Sequence, residues 1–347
     1  MHLLKEYSGT LVTGFVAIAV GLASYVVVRS DPFAERSNAV FTMDFSALYD
    51  VEPELIQYEQ TSEISANLKG LRSLAVGPDD KIYCAGSDTI AVYSSAGKEL
   101  YTIRMEAPPN CLAVGGSQHL SPGRLYVAVG NKVQVIDADG SSVANWTVPG
   151  DDVILASIVV AEKDVFVADA GNRVVLRFDE QGNVIGKIGA EGSQKEFNVP
   201  NTYFDLAIGS DGLLQVVNPG MLRTEIYTYE GQMEVRWGEP GTKIENFFGC
   251  CNPSHIAVLP SGQVVTSEKG VPRVKLYSPY GEFECVIASP KMLGVAESEL
   301  GDPRDVQAKA VFDVAADSQG RVLVLDPRRN IVRVYTPKQE TTAQPAA

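Results

Sequence analysis

The residues best suited to chemistry lie in one short stretch of the chain, FFGCCNPS, at 247–254. It holds adjacent cysteines, Cys250 and Cys251, followed by Asn252 and, shortly after, by His255. A thiolate is the nucleophilic and metal-binding form of cysteine, and imidazole acts as a base or a metal ligand. This combination indicates a candidate site for binding a ligand or partner, or for redox chemistry.

A second segment, TSEKGVPR at 266–273, supplies charged groups that such a site would use. Glu268 offers a carboxylate, and the cations Lys269 and Arg273 would lower the pKa of a nearby thiol. The alternative is that Glu268 and Arg273 have a structural role, because an acid can accept hydrogen bonds from loop amides and form an ion pair with an arginine. Similar acid or amide residues precede an arginine in other loops, at Asp169 and Arg173, Asn218 and Arg223, and Asp326 and Arg329.

The cysteine count leaves the redox state open. The five cysteines are Cys84, Cys111, Cys250, Cys251 and Cys285. In an oxidising compartment they would include one or two disulfides, and the odd number leaves at least one thiol over. A zinc finger is disfavoured because the chain lacks the expected CxxC pairs. Cys250 and Cys251 are thus either structural or the reactive feature of the site.

A recurring strand pattern must position these segments. A short apolar run appears six times, about 48 residues apart on average, which is typical of four-stranded propeller blades. The six runs are SLAV at Ser73, CLAV at Cys111, SIVV at Ser157, DLAI at Asp205, HIAV at His255 and DVAA at Asp313. The pattern predicts an all-β, six-bladed propeller. The last unit has three strands, so we expect the segment Leu55 to Gln60 to supply the fourth and close the ring.

Two of the units resemble NHL repeats. They read VFVADAGNRVVLRFDEQGNVIGKIG at 165–189 and VLVLDPRRNIVRVYTP at 322–337. The resemblance implies an NHL-like propeller with a central channel over roughly residues 55–337. NHL-like propellers include protein-binding modules, sugar or lactone hydrolases and lyases, so the fold leaves the function open. The amidating lyase of this kind needs three zinc-binding histidines, whereas only His119 and His255 lie in this propeller.

The first residues of the inner strands are expected near the mouth of that channel. Asp205, His255 and Asp313 are the charged or titratable ones, and Cys111 and Ser157 occupy matching positions. Such a ring of polar groups would bind a small ligand or a cation, or would simply enclose water.

The N-terminus predicts a membrane anchor. Residues 11–28 carry no charge and, as a helix, would span about 27 Å, close to the hydrocarbon thickness of a bilayer. The predicted order is a short tail at 1–10, a single transmembrane helix at 11–28, a tether at 29–54, the propeller at 55–337 and a disordered tail at 338–347. A short N-terminal tail before a long domain favours an extracytoplasmic propeller, either periplasmic or on the cell surface.

Charge and motif content restrict the partners. The chain has 29 Lys and Arg against 43 Asp and Glu, a net charge of −14, so nucleic acid is excluded as a partner. Motifs of classical hydrolases, zincins and nucleotide-binding proteins are absent, and no cofactor is predicted. The favoured function is a binding or scaffold subunit that contacts a protein in the membrane or envelope. The alternatives are a hydrolase-like or lactonase-like enzyme at the channel mouth and a redox-linked accessory protein that uses Cys250 and Cys251.

Overall fold

The computed structural model describes residues 46–189, 197–301 and 311–339. A one-turn helix, α1 (Ser46–Tyr49), precedes the first strand, β1 (Tyr58–Ser65). Short 3-10 turns lie at Pro53–Leu55, Pro78–Asp80, Pro219–Met221 and Glu297–Gly301. Among the described residues, no helix is long and apolar enough to cross a bilayer. The predicted span at 11–28 lies outside them.

The strands of the described residues form six antiparallel sheets of four strands each, which confirms the six-bladed, all-β prediction. Blade one has β2 (Ser73–Val76), β3 (Ile82–Ala85), β4 (Thr89–Tyr93) and β5 (Glu99–Arg104). Blade two has β6 (Cys111–Val114), β7 (Leu125–Val129), β8 (Lys132–Ile136) and β9 (Ser142–Thr147). Blade three has β10 (Leu155–Val160), β11 (Val165–Asp169), β12 (Val174–Phe178) and β13 (Val184–Ile188).

The remaining blades follow the same order from the inside outwards. Blade four has β14 (Leu206–Ile208), β15 (Leu214–Asn218), β16 (Arg223–Tyr227) and β17 (Met233–Trp237). Blade five has β18 (His255–Val258), β19 (Val264–Ser267), β20 (Val274–Tyr277) and β21 (Phe283–Ala288). Blade six has β22 (Asp313–Ala316), β23 (Val322–Asp326) and β24 (Ile331–Pro337), with β1 as its outermost strand.

Strand β1 closes the ring by pairing antiparallel with β24, from Tyr58 opposite Pro337 to Ser65 opposite Ile331. The chain therefore begins and ends the propeller in one blade, as the sequence predicts. The closing strand lies further along the chain than predicted, because β1 spans Tyr58–Ser65 rather than Leu55 to Gln60. Leu55 ends a 3-10 turn that begins at Pro53, and pairing with β24 begins only at Tyr58.

The core lies between the blades. Among the described residues, six apolar clusters form, each shared by two neighbouring blades. The second strand of each blade packs against both neighbours, so β7, β11 and β15 are buried along almost their whole length, including the polar Gln215 and Asn218 of β15. The fourth strands β5, β9, β13 and β17 are largely exposed, whereas β21 is mostly buried.

Glycine lets neighbouring blades approach at the turn between the third and fourth strands. Gly182 and Gly281 adopt positive φ values of 84° and 94°. A Cβ added at Gly182 would collide with the indole of Trp146, and one at Gly281 with that of Trp237. Each tryptophan belongs to the outer strand of the preceding blade, so these turns seal the ring at its outer edge.

Candidate functional site

The inner strands bring six side chains to the wall of the central channel. They line a cavity of about 210 Å³ and comprise Ser73, Cys111, Ser157, Asp205, His255 and Asp313, one from each blade. Every second residue of an inner strand points the same way, so each blade delivers one of these side chains to the channel. Ser157 is the third residue of β10, and Asp205 immediately precedes β14.

Four of these side chains connect neighbouring blades. Asp205 Oδ2 accepts a hydrogen bond from the backbone N–H of Ile256 at 2.8 Å, and Asp313 Oδ2 accepts one from Leu74 at 2.8 Å. Ser73 and Ser157 act in the same way, with Oγ 3.3 Å from the backbone nitrogens of Leu112 and Leu206, respectively. The ring therefore has a structural role, because it joins each of these blades to the next.

The charged members of the ring form a compact group. His255 Nδ1 lies 3.4 Å from Asp205 Oδ2 and 3.4 Å from Asp313 Oδ1. Their side chains are 21%, 14% and 12% exposed for His255, Asp205 and Asp313. The hydroxyl of Ser157 donates to Asp205 Oδ1 at 2.5 Å. The structure thus brings together the three channel residues that the sequence singles out.

Their proximity changes their proton affinities. Burial opposes the charged imidazole, but Asp313 and Asp205 together outweigh that effect and raise the pKa of His255 to about 9. Burial raises the pKa of Asp313 to about 6, and the positive charge of His255 opposes that rise. His255 therefore carries a positive charge at neutral pH.

A recess lies at the mouth of the channel, above this group. It has a volume of about 210 Å³, and its wall includes Arg72, Tyr203, His255 and Asp313. The rest of its wall is apolar, from Leu71, Val311, Leu325 and Pro327. The rings of Tyr203 and His255 meet edge to face, with their centroids 6.0 Å apart. The recess is therefore amphipathic, and it opens onto the channel through shared residues.

The blade-five loop reaches the same mouth through Tyr203. Lys269 Nζ lies 5.7 Å from the centroid of the Tyr203 ring and 3.9 Å from Cys250 Sγ. Asn252 shapes the loop, since its side chain donates to the carbonyl of Lys269 at 3.0 Å and accepts from the N–H of Lys269 at 2.9 Å. The predicted proximity of the two blade-five segments is present, and Asn252 is a structural link between them.

The two adjacent cysteines have different environments. All five cysteines lie in the described part of the chain, and none of them forms a disulfide bond there. Cys250 is exposed and Cys251 is buried. Burial raises the pKa of Cys251 to about 11, despite the opposing effect of Lys269. The sequence-based expectation of a lowered thiol pKa is wrong for Cys251, because desolvation exceeds the attraction of the nearby cation.

Glu268 and Arg273 lie in a separate buried cluster. Arg273 donates through Nε at 3.0 Å and Nη2 at 2.6 Å to Glu268 Oε2, while Lys275 pairs with Oε1. All three residues are at most 1% exposed. Glu268 is therefore enclosed by two cations and does not reach the rim, which favours the structural role over ligand binding.

In two of the other loops, the predicted acid or amide has further partners. Asn218 and Arg223 both donate to the buried Glu225, at 3.0 and 2.7 Å. Asp169 accepts the backbone N–H groups of its own loop, including that of Gly171 at 3.1 Å.

The last predicted pair, Asp326 with Arg329, is present at 3.2 Å. Asp326 also accepts from Arg333 at 3.3 Å. These acids fix the loops between the second and third strands, in line with the structural explanation.

Comparison with known proteins identifies the fold. No family model and no curated protein matches the chain. Among solved structures, a streptogramin B lyase matches with a TM-score of 0.53 and 13% identity, covering 81% of this chain and 98% of its own. A selenomethionine-substituted virginiamycin B lyase from Staphylococcus aureus matches with the same score and identity, covering 81% and 100%. At this identity, the similarity establishes a six-bladed β-propeller fold alone.

One residue of the buried ionic cluster and two residues of the recess were not identified from the sequence. Lys275 follows Val274 in a strand of buried residues, and a lysine in such a run is the signal that would have indicated a buried ion pair. Arg72 and Tyr203 lie just before inner strands, in the position that faces the channel mouth. The signal available in the sequence was the position of Arg72 and Tyr203 in the loops that lead from one blade into the inner strand of the next.

Proposed function

We propose that this chain is a membrane-anchored, extracytoplasmic propeller of the NHL type that binds a protein partner at the channel mouth. The observation that carries the proposal is a contrast between two polar regions of the propeller. Glu268, the carboxylate that was a candidate for chemistry in blade five, is buried between two cations, whereas the recess at the channel mouth is open and amphipathic.

The composition of the recess supports binding. Arg72 and Tyr203 combine a polar end with a large contact area, and both residue types are enriched in binding surfaces. The apolar residues around them provide area that a partner side chain would bury. A partner that inserts an apolar side chain next to a carboxylate would match both features, because Arg72 supplies the cation.

Membrane anchoring rests on the sequence of residues 11–28, which has the length and apolar character of a single span. The net charge of −14 favours a domain that stays soluble beside the membrane. An anchored propeller would hold its partner at a fixed distance from the bilayer, which suits a subunit of a membrane or envelope complex.

The enzyme alternative would use Asp205, His255 and Asp313 at the channel mouth. Both aspartates hold a neighbouring blade through backbone hydrogen bonds, which favours a fixed structural arrangement over a group that changes protonation during turnover. The redox alternative would use Cys250 and Cys251. The raised pKa of Cys251 keeps that thiol protonated, and a thiol is a poor nucleophile.

Site-specific cross-linking in cells tests the proposal. A photo-reactive residue is placed at Cys250 on the proposed binding face, or at Tyr280 as a matched control in blade five. Tyr280 is 63% exposed and lies in the turn between β20 and β21, which the alternating strand direction places on the opposite face. We expect a membrane-associated adduct of one defined mass from position 250 and none from position 280.

Two results would contradict the proposal. Equal adduct patterns from both positions would show that the channel-mouth face has no preferred partner. Protection of the whole chain from protease added to spheroplasts would show that the propeller is not extracytoplasmic.

A further inference from the structure

Asp205, His255 and Asp313 come from three consecutive blades and meet on one side of the channel. His255 Nδ1 is equidistant, at 3.4 Å, from one oxygen of each aspartate. A charge-assisted hydrogen bond between such groups is usually about 2.7–2.9 Å long. The imidazole is thus held midway between two carboxylates, farther from each than a strong hydrogen bond requires.

This spacing fits the ligands of a metal ion. Zn²⁺ binds imidazole nitrogen and carboxylate oxygen at about 2.0–2.2 Å in tetrahedral sites, so neighbouring ligand atoms lie about 3.3–3.6 Å apart. One donor atom from each of the three side chains lies within 4.8 Å of the other two. We propose that Asp205, His255 and Asp313 bind a divalent transition-metal ion, with Zn²⁺ as the best fit.

Backbone hydrogen bonds orient both carboxylates for this role. The Asp205 oxygen that faces His255 accepts the N–H of Ile256 at 2.8 Å, and the corresponding Asp313 oxygen accepts the N–H of Val314 at 2.8 Å. A carboxylate oxygen has two lone pairs, so one remains for a metal ion. Hydrogen bonds to the ligands are a regular feature of metal sites, because they hold each ligand in its binding orientation.

Charge balance also favours a divalent cation. Two carboxylates and a neutral imidazole carry a charge of −2, which a divalent ion cancels. These side chains are no more than 21% exposed, and an uncompensated charge is costly there.

The site has space for a further ligand on the metal. The three donors face the channel cavity of about 210 Å³, whose wall also carries Ser73, Cys111 and Ser157. Three protein ligands with an open position are typical of zinc sites that bind water or an exogenous ligand. A single nitrogen with two oxygens favours Zn²⁺ and its first-row neighbours over Ca²⁺, which takes six to eight oxygens.

The metal site does not depend on the proposed partner or on membrane anchoring, because it lies inside the channel and is measured on the isolated protein. His255 is the ligand to change, since Asp205 and Asp313 also connect blades. The substitution His255→Gln removes the central donor and leaves both aspartates in place. Cys111→Ala is a matched control at another position of the ring, outside the four side chains whose hydrogen bonds join neighbouring blades. Cys250→Ser controls for binding by the exposed thiol.

The experiment uses the full chain, purified in detergent and freed of metal with a chelator, and then titrated with Co²⁺ and with Zn²⁺. We expect one equivalent of Co²⁺ to give the visible absorption of a tetrahedral complex, and Zn²⁺ to displace it. His255→Gln should weaken binding by at least about 100-fold, since loss of a second-shell group alone costs about 10–100-fold. Cys111→Ala and Cys250→Ser should bind as the wild type does.

Melting curves with and without Zn²⁺ provide a second measurement of binding, because an ion that binds only the folded state raises the melting temperature. Absence of binding by a wild-type protein that melts cooperatively would overturn the proposal. So would binding that persists in His255→Gln, binding that is lost in Cys250→Ser, or a preference for Ca²⁺ over Zn²⁺.

Discussion

Cys250 and Cys251 have the same side chain but differ in solvent exposure. Cys250 is exposed, while the other four thiols, Cys84, Cys111, Cys251 and Cys285, are buried. Burial raises the pKa of Cys84 and Cys285 to about 12 and that of Cys251 to about 11. Because reaction needs both access and a thiolate, we expect a thiol reagent to modify one cysteine of the native protein rapidly.

Ellman's reagent measures this directly, with no reductant added. The native wild type should release one equivalent of product quickly, and the denatured protein should release five. In Cys250→Ser the rapid phase should disappear. Two rapid equivalents would mean that the Cys251 loop opens readily, and none would mean that Cys250 is already bonded or blocked.

Lys275 is a buried charge whose partners are all protein atoms. Its Nζ donates to the carbonyls of Ile244 and Asn246 at 2.9 Å each and pairs with Glu268. Burial lowers the pKa of Lys275 to about 8, although Glu268 acts in the opposite direction. We expect Lys275→Met to lower the free energy of unfolding by about 3 kcal/mol at pH 7, since it leaves two carbonyls and a carboxylate without this donor.

The same residue predicts a pH dependence. Between pH 8 and about 10, the unfolded chain keeps the Lys275 proton, whereas the folded protein loses it. The unfolded state then binds more protons, so this residue makes the folded wild type more stable as pH rises. The difference in unfolding free energy between wild type and Lys275→Met should therefore grow from pH 8 to 10. Denaturant titration followed by tryptophan fluorescence measures it.

The exposed Lys187 in β13 provides the control for both Lys275 predictions. Lys187→Met should change the free energy of unfolding by less than about 0.5 kcal/mol, with no dependence on pH in this range. A difference for Lys275→Met that stays constant from pH 8 to 10 would show that Lys275 remains charged in the folded protein.

At the scale of elements, the strands were predictable and the contacts between loops were not. Each inner strand is a short apolar run that recurs at a regular spacing, so HIAV at His255 could be placed in a blade from sequence alone. The pairing of Glu268 with Lys275 spans two strands and depends on the turn between them. No local pattern encodes that geometry, and the same holds for Tyr203 beside His255.

The candidate site shows the same limit. The ring position of Asp205, His255 and Asp313 follows from their place at the start of inner strands, which the repeat reveals. Their mutual distances depend on how three blades are angled around the channel, and that angle results from the packing between blades. The thiol environment of Cys251 was mispredicted because its burial depends on a loop with irregular backbone, where Cys251 has a φ of 63°.

At the scale of the whole molecule, closure of the ring by β1 sets the stability of the propeller. Tyr58 and Ile64 of β1 are buried at 5% and 6% exposure, and Ile64 shares an apolar cluster with Val334 of β24. Deleting Tyr58–Ser65 would remove these contacts, together with a row of backbone hydrogen bonds, and leave β24 as an open edge.

We expect this deletion to lower the melting temperature by at least about 10 °C or to cause aggregation, since each kcal/mol lost shifts the melting temperature by about 2–4 °C in a domain of this size class. Glu59→Ala, on the exposed face of β1, should change it by no more than about 2 °C. A synthetic peptide of residues 55–68, added in trans, should restore part of the loss, because β24 presents an unpaired edge that the peptide can occupy. Unchanged melting after the deletion would mean that five blades and the three remaining strands of blade six form a stable ring without β1.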